Sequence, residues 1–121
     1  MHRGRSILFA FASVVALATS GNCAERDAST YLGCFKDPNN PYDLSGYLER
    51  STQNTPQRCI SICKSRGFAY AGVQFGESCL CGKSYGKFGA ADYCNYPCTG
   101  DNRQVCGGFN ANSVYSTGLR R

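Results

Sequence analysis

Histidine is almost missing from this sequence: His2 is the single copy in 121 residues. Chemistry that uses imidazole as a base or a metal ligand therefore has one residue to draw on, at the extreme N-terminus. No two cysteines are spaced Cys-x-x-Cys, which removes the usual redox pair. Charge is scarce as well, at 17% of residues, with 13 Lys and Arg against 8 Asp and Glu. An excess this mild does not mark a nucleic-acid binder. Long apolar runs are absent apart from residues 6–18, and those are about 13 residues, short of the roughly 18–20 a bilayer requires. There is no internal repeat, no low-complexity tract and no Asn-x-Ser/Thr sequon. The length leaves room for one domain and excludes a two-domain enzyme.

The apolar run has a different explanation. Arg3 and Arg5 precede SILFAFASVVALA, and Thr19, Ser20 and Gly21 follow it. A basic start, an apolar middle and small residues at the end make a secretory signal peptide over residues 1–21. Cleavage falls after Ala18, Ser20 or Gly21. Its removal takes away His2, Arg3 and Arg5 and leaves a net charge of about +3. The expected product is secreted and extracellular, with no membrane span.

Cysteine is what the chain has in abundance, nine copies, with 14 glycines and 8 tyrosines. That density in a short secreted chain reads as a disulfide scaffold. Residues 22–30 are polar and read as a flexible arm. A first strand is expected at Tyr31-Leu32-Gly33-Cys34-Phe35, ended by the turn-former Asp37-Pro38-Asn39-Asn40-Pro41. Residues 42–53 read as a loop pinned by Leu44, Tyr47 and Leu48. One helix is expected after Thr55, with Pro56 in its first turn, basic residues in its last and Gly67 at its end. Residues 68–75 read as a strand and residues 78–82 as its antiparallel partner. Residues 83–97 read as a glycine- and aromatic-rich loop, and residues 113–116 as a closing strand.

Cys59 and Cys63 lie four apart on one helix face, and Cys79 and Cys81 two apart on one strand face. Both spacings are about 6–7 Å. A helix laid on a hairpin can thus be stapled twice, as Cys59–Cys79 with Cys63–Cys81, although spacing also allows the crossed pairing. Zinc is the competing use of these thiols, disfavoured by an oxidising compartment and the lack of histidine. No metal and no cofactor is expected. Cys23 is the odd cysteine, in the polar arm.

Taken in order, the segments resemble the WSC domain. The resemblance covers residues 31–117, with residues 118–121 as a tail. It rests on Tyr31-Leu32-Gly33-Cys34-Phe35-Lys36-Asp37, on the Cys59-x3-Cys63 helix, and above all on the segment from Gly67-Phe68-Ala69-Tyr70 to Cys79-Leu80-Cys81-Gly82. Cys98-Thr99-Gly100-Asp101-Asn102 and Cys106-Gly107-Gly108 complete it. The resemblance implies a small disulfide-rich α+β domain, one main helix packed on a short antiparallel sheet, similar to the PAN/apple fold. It implies the pairs Cys34–Cys94, Cys59–Cys79, Cys63–Cys81 and Cys98–Cys106. It also implies a carbohydrate-binding module without catalysis. With no Ser/Thr-rich stalk and no membrane span, a free lectin-like role fits better than a sensor.

Catalysis has little support in the residues themselves. The carboxylates Asp37, Asp43, Glu49, Glu77, Asp92 and Asp101 are scattered, whereas a glycosidase needs two facing each other across a cleft. Sugars instead need aromatic faces beside amides and carboxylates. Tyr85, Phe88, Tyr93, Asn95 and Tyr96 form such a cluster before Pro97, with Asp101, Asn102, Asn110 and Asn112 following. Of these, Tyr85, Phe88, Tyr93, Asn95, Tyr96, Asp101, Asn102 and Asn110 are the expected contacts for a polysaccharide or glycan. Tyr70, Val73 and Phe75 are expected in the core. The alternative is a protein-interaction module binding a receptor or matrix protein through the same tyrosines.

Overall fold

The computed structural model describes residues 28–119. The leader segment, Cys23 and the last two arginines lie outside the described residues. Five strands, β1 (Thr30–Lys36), β2 (Tyr47–Arg50), β3 (Tyr70–Gln74), β4 (Ser78–Gly82) and β5 (Ala111–Ser116), form one sheet in the order β1-β5-β3-β4-β2. Every neighbouring pair is antiparallel. The helix α1 (Pro56–Ser65) lies across β3, β4 and β5. This is a small disulfide-rich α+β domain. Among the described residues no helix is long and apolar enough to cross a membrane.

The helix starts and stops where its sequence dictates. Thr55 is extended and its Oγ1 accepts the Arg58 N–H, while Pro56 fills the first position, where a missing N–H costs nothing. At the other end Gly67 takes φ 89°, the Gly67 N–H donates to Lys64 O, and the Phe68 N–H reaches back to Cys63 O at 2.9 Å. That is the Schellman closure that glycine permits at low cost.

Alternation along the strands sorts the side chains to two faces. Ala71 and Val73 on β3 and Cys79 and Cys81 on β4 meet Cys59 and Cys63 under the helix. Leu80 and Val114 face the other way, where Leu44, Tyr42 and Tyr85 from the long loops cover them. Leu44, Leu80, Val73 and Val114 are the largest fully buried apolar side chains. At about 1.5–3 kcal/mol each they make a small core, and cystine fills much of the remainder. Cys59 is bonded to Cys79 and Cys63 to Cys81, uncrossed, with Cα atoms 5.4 and 5.2 Å apart. Cys34–Cys94 and Cys98–Cys106 fasten the loops.

Polar anchors hold those loops. Asp37 is fully buried. Its Oδ1 accepts the backbone N–H groups of Asn39 and Asp43, and its Oδ2 accepts from Gln74 Nε2 and Asn112 Nδ2 at 3.1 and 2.9 Å. Asp43, also buried, accepts the N–H groups of Gly86 and Lys87. Asp37 thus ties its loop to β3 and β5, and Asp43 ties the same loop to the backbone of Gly86 and Lys87.

Two expectations need correction. Residues 42–53 contain a strand, β2, rather than a loop throughout. Tyr47 and Leu48 pack on opposite faces of a doubly covered sheet, so the polar-apolar alternation that signals a strand is missing. Phe75 lies beyond the end of β3 and is 45% exposed, not in the core.

Candidate functional site

The turn from β3 to β4 is clamped at Gly76. Its N–H donates to Cys106 O at 3.0 Å, and its carbonyl accepts from the Thr99 N–H and from Asn54 Nδ2, both at 3.1 Å. With Gly76 fixed from both sides, Phe75 takes φ 54°. A bulky residue in the left-handed region is strained by about 1–2 kcal/mol and persists only where the surroundings over-determine it. The result is a presented ring. Phe75 packs against Tyr96, with centroids 4.8 Å apart, and edge-on to Phe109 at 6.1 Å. Phe109 is 63% exposed.

The Cys98–Cys106 disulfide organises the strands of loop that carry these rings. The Tyr96 N–H donates to Gly107 O and the Cys106 N–H to Tyr96 O, at 2.8 and 2.7 Å. Gly107 sits at φ 72° against the Val73 carbonyl, where a Cβ would collide. That close approach lets the segment bearing Phe109 and Asn110 pass tightly beside β3.

Phe75 and Phe109 form one side of a groove of about 250 Å³ on the sheet face opposite the helix. Leu48, Leu80 and Tyr42 also line it, as do Arg50 and Glu77, loosely paired at 3.8 Å. Its polar end is made by Asn39, Asn110 and Gln74. Asn39 Nδ2 donates to Asn110 Oδ1 at 2.6 Å, while Asn39 Oδ1 is buried without a hydrogen-bond partner. Asn39 and Asn110 also have positive φ, 69° and 57°. Thus all three non-glycine residues with positive φ among the described residues line this one groove. Asparagine tolerates this region readily, so Phe75 is the strained one of the three.

The residues expected from sequence to contact a sugar are dispersed. Tyr96 and Asn110 belong to the groove region. Tyr85 is half-buried over the sheet, its ring 5.1 Å from Phe35 and 4.7 Å from Tyr70. Phe88 is half-buried, with Lys87 Nζ 5.9 Å above its ring. Tyr93, Asn95 and Asn102 are exposed. Asp101 accepts from the side chains of Arg103 and Gln104 in a tight turn, and the Arg103 guanidinium holds its carboxyl far below the usual range. Phe75, Phe109, Asn39 and Gln74 were missed by sequence reasoning. Phe75 continues the every-second-residue pattern of Ala71 and Val73, so in sequence it looks like core.

Asp37 and Asp43 are buried loop anchors. Glu49 bonds Arg58 and Tyr47 under the helix, and the Arg58 hydrogen bond lowers its pKa. Glu77 is the one carboxylate lining the groove. Cys59, Cys63 and Cys79, the one metal-like cluster among the described residues, are oxidised in disulfides.

The fold and groove define a cystine-stapled recognition module of the kind found outside the cell, where such bonds persist. The family model for the WSC domain matches residues 31–108, and the chain belongs to the WSC domain family. It is 37% identical over 109 residues to xylosyltransferase oxt of Drosophila melanogaster, covering 87% of this chain and 12% of that protein. It is 46% identical over 81 residues to human Kremen protein 1, covering 64% of this chain and 17% of that protein. Human Kremen protein 2 is 38% identical over 93 residues, covering 74% and 20%. The chain therefore spans a fifth or less of the length of these curated relatives.

Proposed function

We propose that the protein is a secreted carbohydrate-binding module that holds a neutral glycan in the Phe75–Phe109 groove without turning it over. The observation that carries this reading is an exposed phenylalanine kept in a strained backbone conformation beside a second exposed ring and a row of amides. Sugars offer apolar C–H faces to such rings and hydroxyls to such amides. A single carboxylate in the groove supports binding rather than hydrolysis, which takes two. The relative named as a xylosyltransferase carries a similar segment over about an eighth of its length, in keeping with a module that accompanies carbohydrate chemistry.

Of the residues expected from sequence, Tyr96 buttresses Phe75 and Asn110 supplies an amide in this reading. Tyr85, Phe88, Tyr93, Asn95, Asp101 and Asn102 are left outside the binding surface. Pull-down on insoluble polysaccharides, followed by a glycan array, tests the reading. Binding should fall at least tenfold in Phe109→Ala, a change at a mostly exposed position that leaves the fold intact. It should also be insensitive to salt, since a neutral sugar has no ionic contact to screen. Unchanged binding by Phe109→Ala would remove the groove from consideration.

A second reading is a protein-interaction module. It is favoured by a separate surface on the helix side, where Tyr31 and Val105 are 54% and 46% exposed beside Tyr115. Tyr31→Ser would weaken such a partner and leave glycan capture untouched.

A further inference from the structure

Resting on the sugar reading of the groove, we infer that the ligand is a sugar bearing an acetamido group rather than an all-hydroxyl one. The groove combines three surfaces that an acetamido sugar can satisfy together. Phe75 and Phe109 offer a stacking side. Its apolar lining is the half-buried Leu48 and Tyr42, with Leu80 fully buried behind them. A hydroxyl placed against the Leu48 side chain would lose water and gain no partner, whereas a methyl group is at home there. The end of the groove holds amides, and one acceptor there, Asn39 Oδ1, is unpaired.

An acetamido group presents a methyl, an N–H and a carbonyl in one flat unit. Its methyl suits the apolar lining at Leu48. Its N–H is the kind of donor that the Asn39–Asn110 pair lacks, and its carbonyl can accept from an amide N–H. Asn39 Oδ1 is sealed from solvent. A ligand therefore reaches it by displacing the Asn39 Nδ2 to Asn110 Oδ1 contact, which frees both side chains to pair with the incoming amide. The left-handed backbone at both asparagines fixes where their side chains start. A groove of about 250 Å³ lies just below the range for drug-sized ligands and suits one sugar ring with its substituent.

The test compares three tetrasaccharides with the same β-1,4 backbone, by calorimetry or NMR titration. One carries N-acetyl groups, one free amines and one hydroxyls at the second carbon. The inference expects the acetylated compound to bind at least tenfold more tightly than either of the others, and Asn39→Ala to shrink that preference. Equal or tighter binding of the hydroxyl compound, abolished by Phe109→Ala, would overturn the acetamido assignment and leave the sugar reading standing. Equal binding of the amine compound would assign the preference to charge at Glu77 and overturn it too. If none of the three binds, the inference fails. Capture of some other neutral polysaccharide would then show whether the sugar reading survives it.

Discussion

The ring of Phe75 lies 4.8 Å from that of Tyr96, centroid to centroid, while its own backbone is held at φ 54° by the bonds on Gly76. The packing and the strain can be separated by substitution. Phe75→Ala loses the ring and keeps the strain. Phe75→Gly loses the ring and relieves it. The glycine variant should be the more stable of the two by about 1 kcal/mol, the reverse of the usual order in strands and helices. Both should lose glycan binding. Denaturant unfolding of the pair checks the order, and equal stabilities would mean that the turn relaxes on its own.

Asp37 is the buried hub of the face that carries the groove. Removing its side chain in Asp37→Ala leaves two backbone N–H groups and two amide N–H groups without their acceptor. The expected loss is about 3 kcal/mol or more. Asp37→Asn keeps an acceptor and should lose less. Chemical denaturation of both variants decides whether the network or mere volume matters.

The disulfides should rank by the loop they close. Chain-entropy arithmetic gives about 4 kcal/mol for Cys34–Cys94 and about 2.5 kcal/mol for Cys98–Cys106, whose separations are 60 and 8 residues. Paired Cys→Ala variants should follow that order in unfolding free energy. Loss of Cys98–Cys106 should weaken glycan binding beyond its effect on stability, because it fastens the segments carrying Tyr96 and Phe109.

Glu49 sets an acid dependence. Its hydrogen bond from Arg58 lowers its pKa below the ordinary 4.5, with a further lowering from Tyr47 opposed by burial. A depressed carboxylate stabilises the fold above its unfolded pKa, and that contribution is lost as pH falls through the folded value. Stability should therefore decline as the pH drops below about 4.5. In Arg58→Gln the Glu49 pKa should rise towards its ordinary value and this part of the decline should flatten. Carbon-detected NMR titration of the Glu49 carboxyl reads the shift directly.

Much of the scaffold is written locally. Thr55, Pro56 and Gly67 bound the helix through capping chemistry that acts within a few residues. The spacing of Cys59 with Cys63 and of Cys79 with Cys81 suits a helix facing a strand, and the eight ordered cysteines carry the family pattern. Strand β2 was hidden because both faces of its sheet are covered, which erases the alternation that period-two reading depends on. The groove was hidden for a related reason. Phe75 looks like core by its place in the pattern, and only the bonds from Cys106, Thr99 and Asn54 to Gly76 turn its ring outward. Asn39, Gln74 and the Phe109-Asn110 pair are far apart in the chain and meet only when β3 lies beside β5 and the Asp37 loop closes over them. Local bonding fixed the elements. Long-range hydrogen bonds, which no short window of residues encodes, decided which aromatic rings face solvent together.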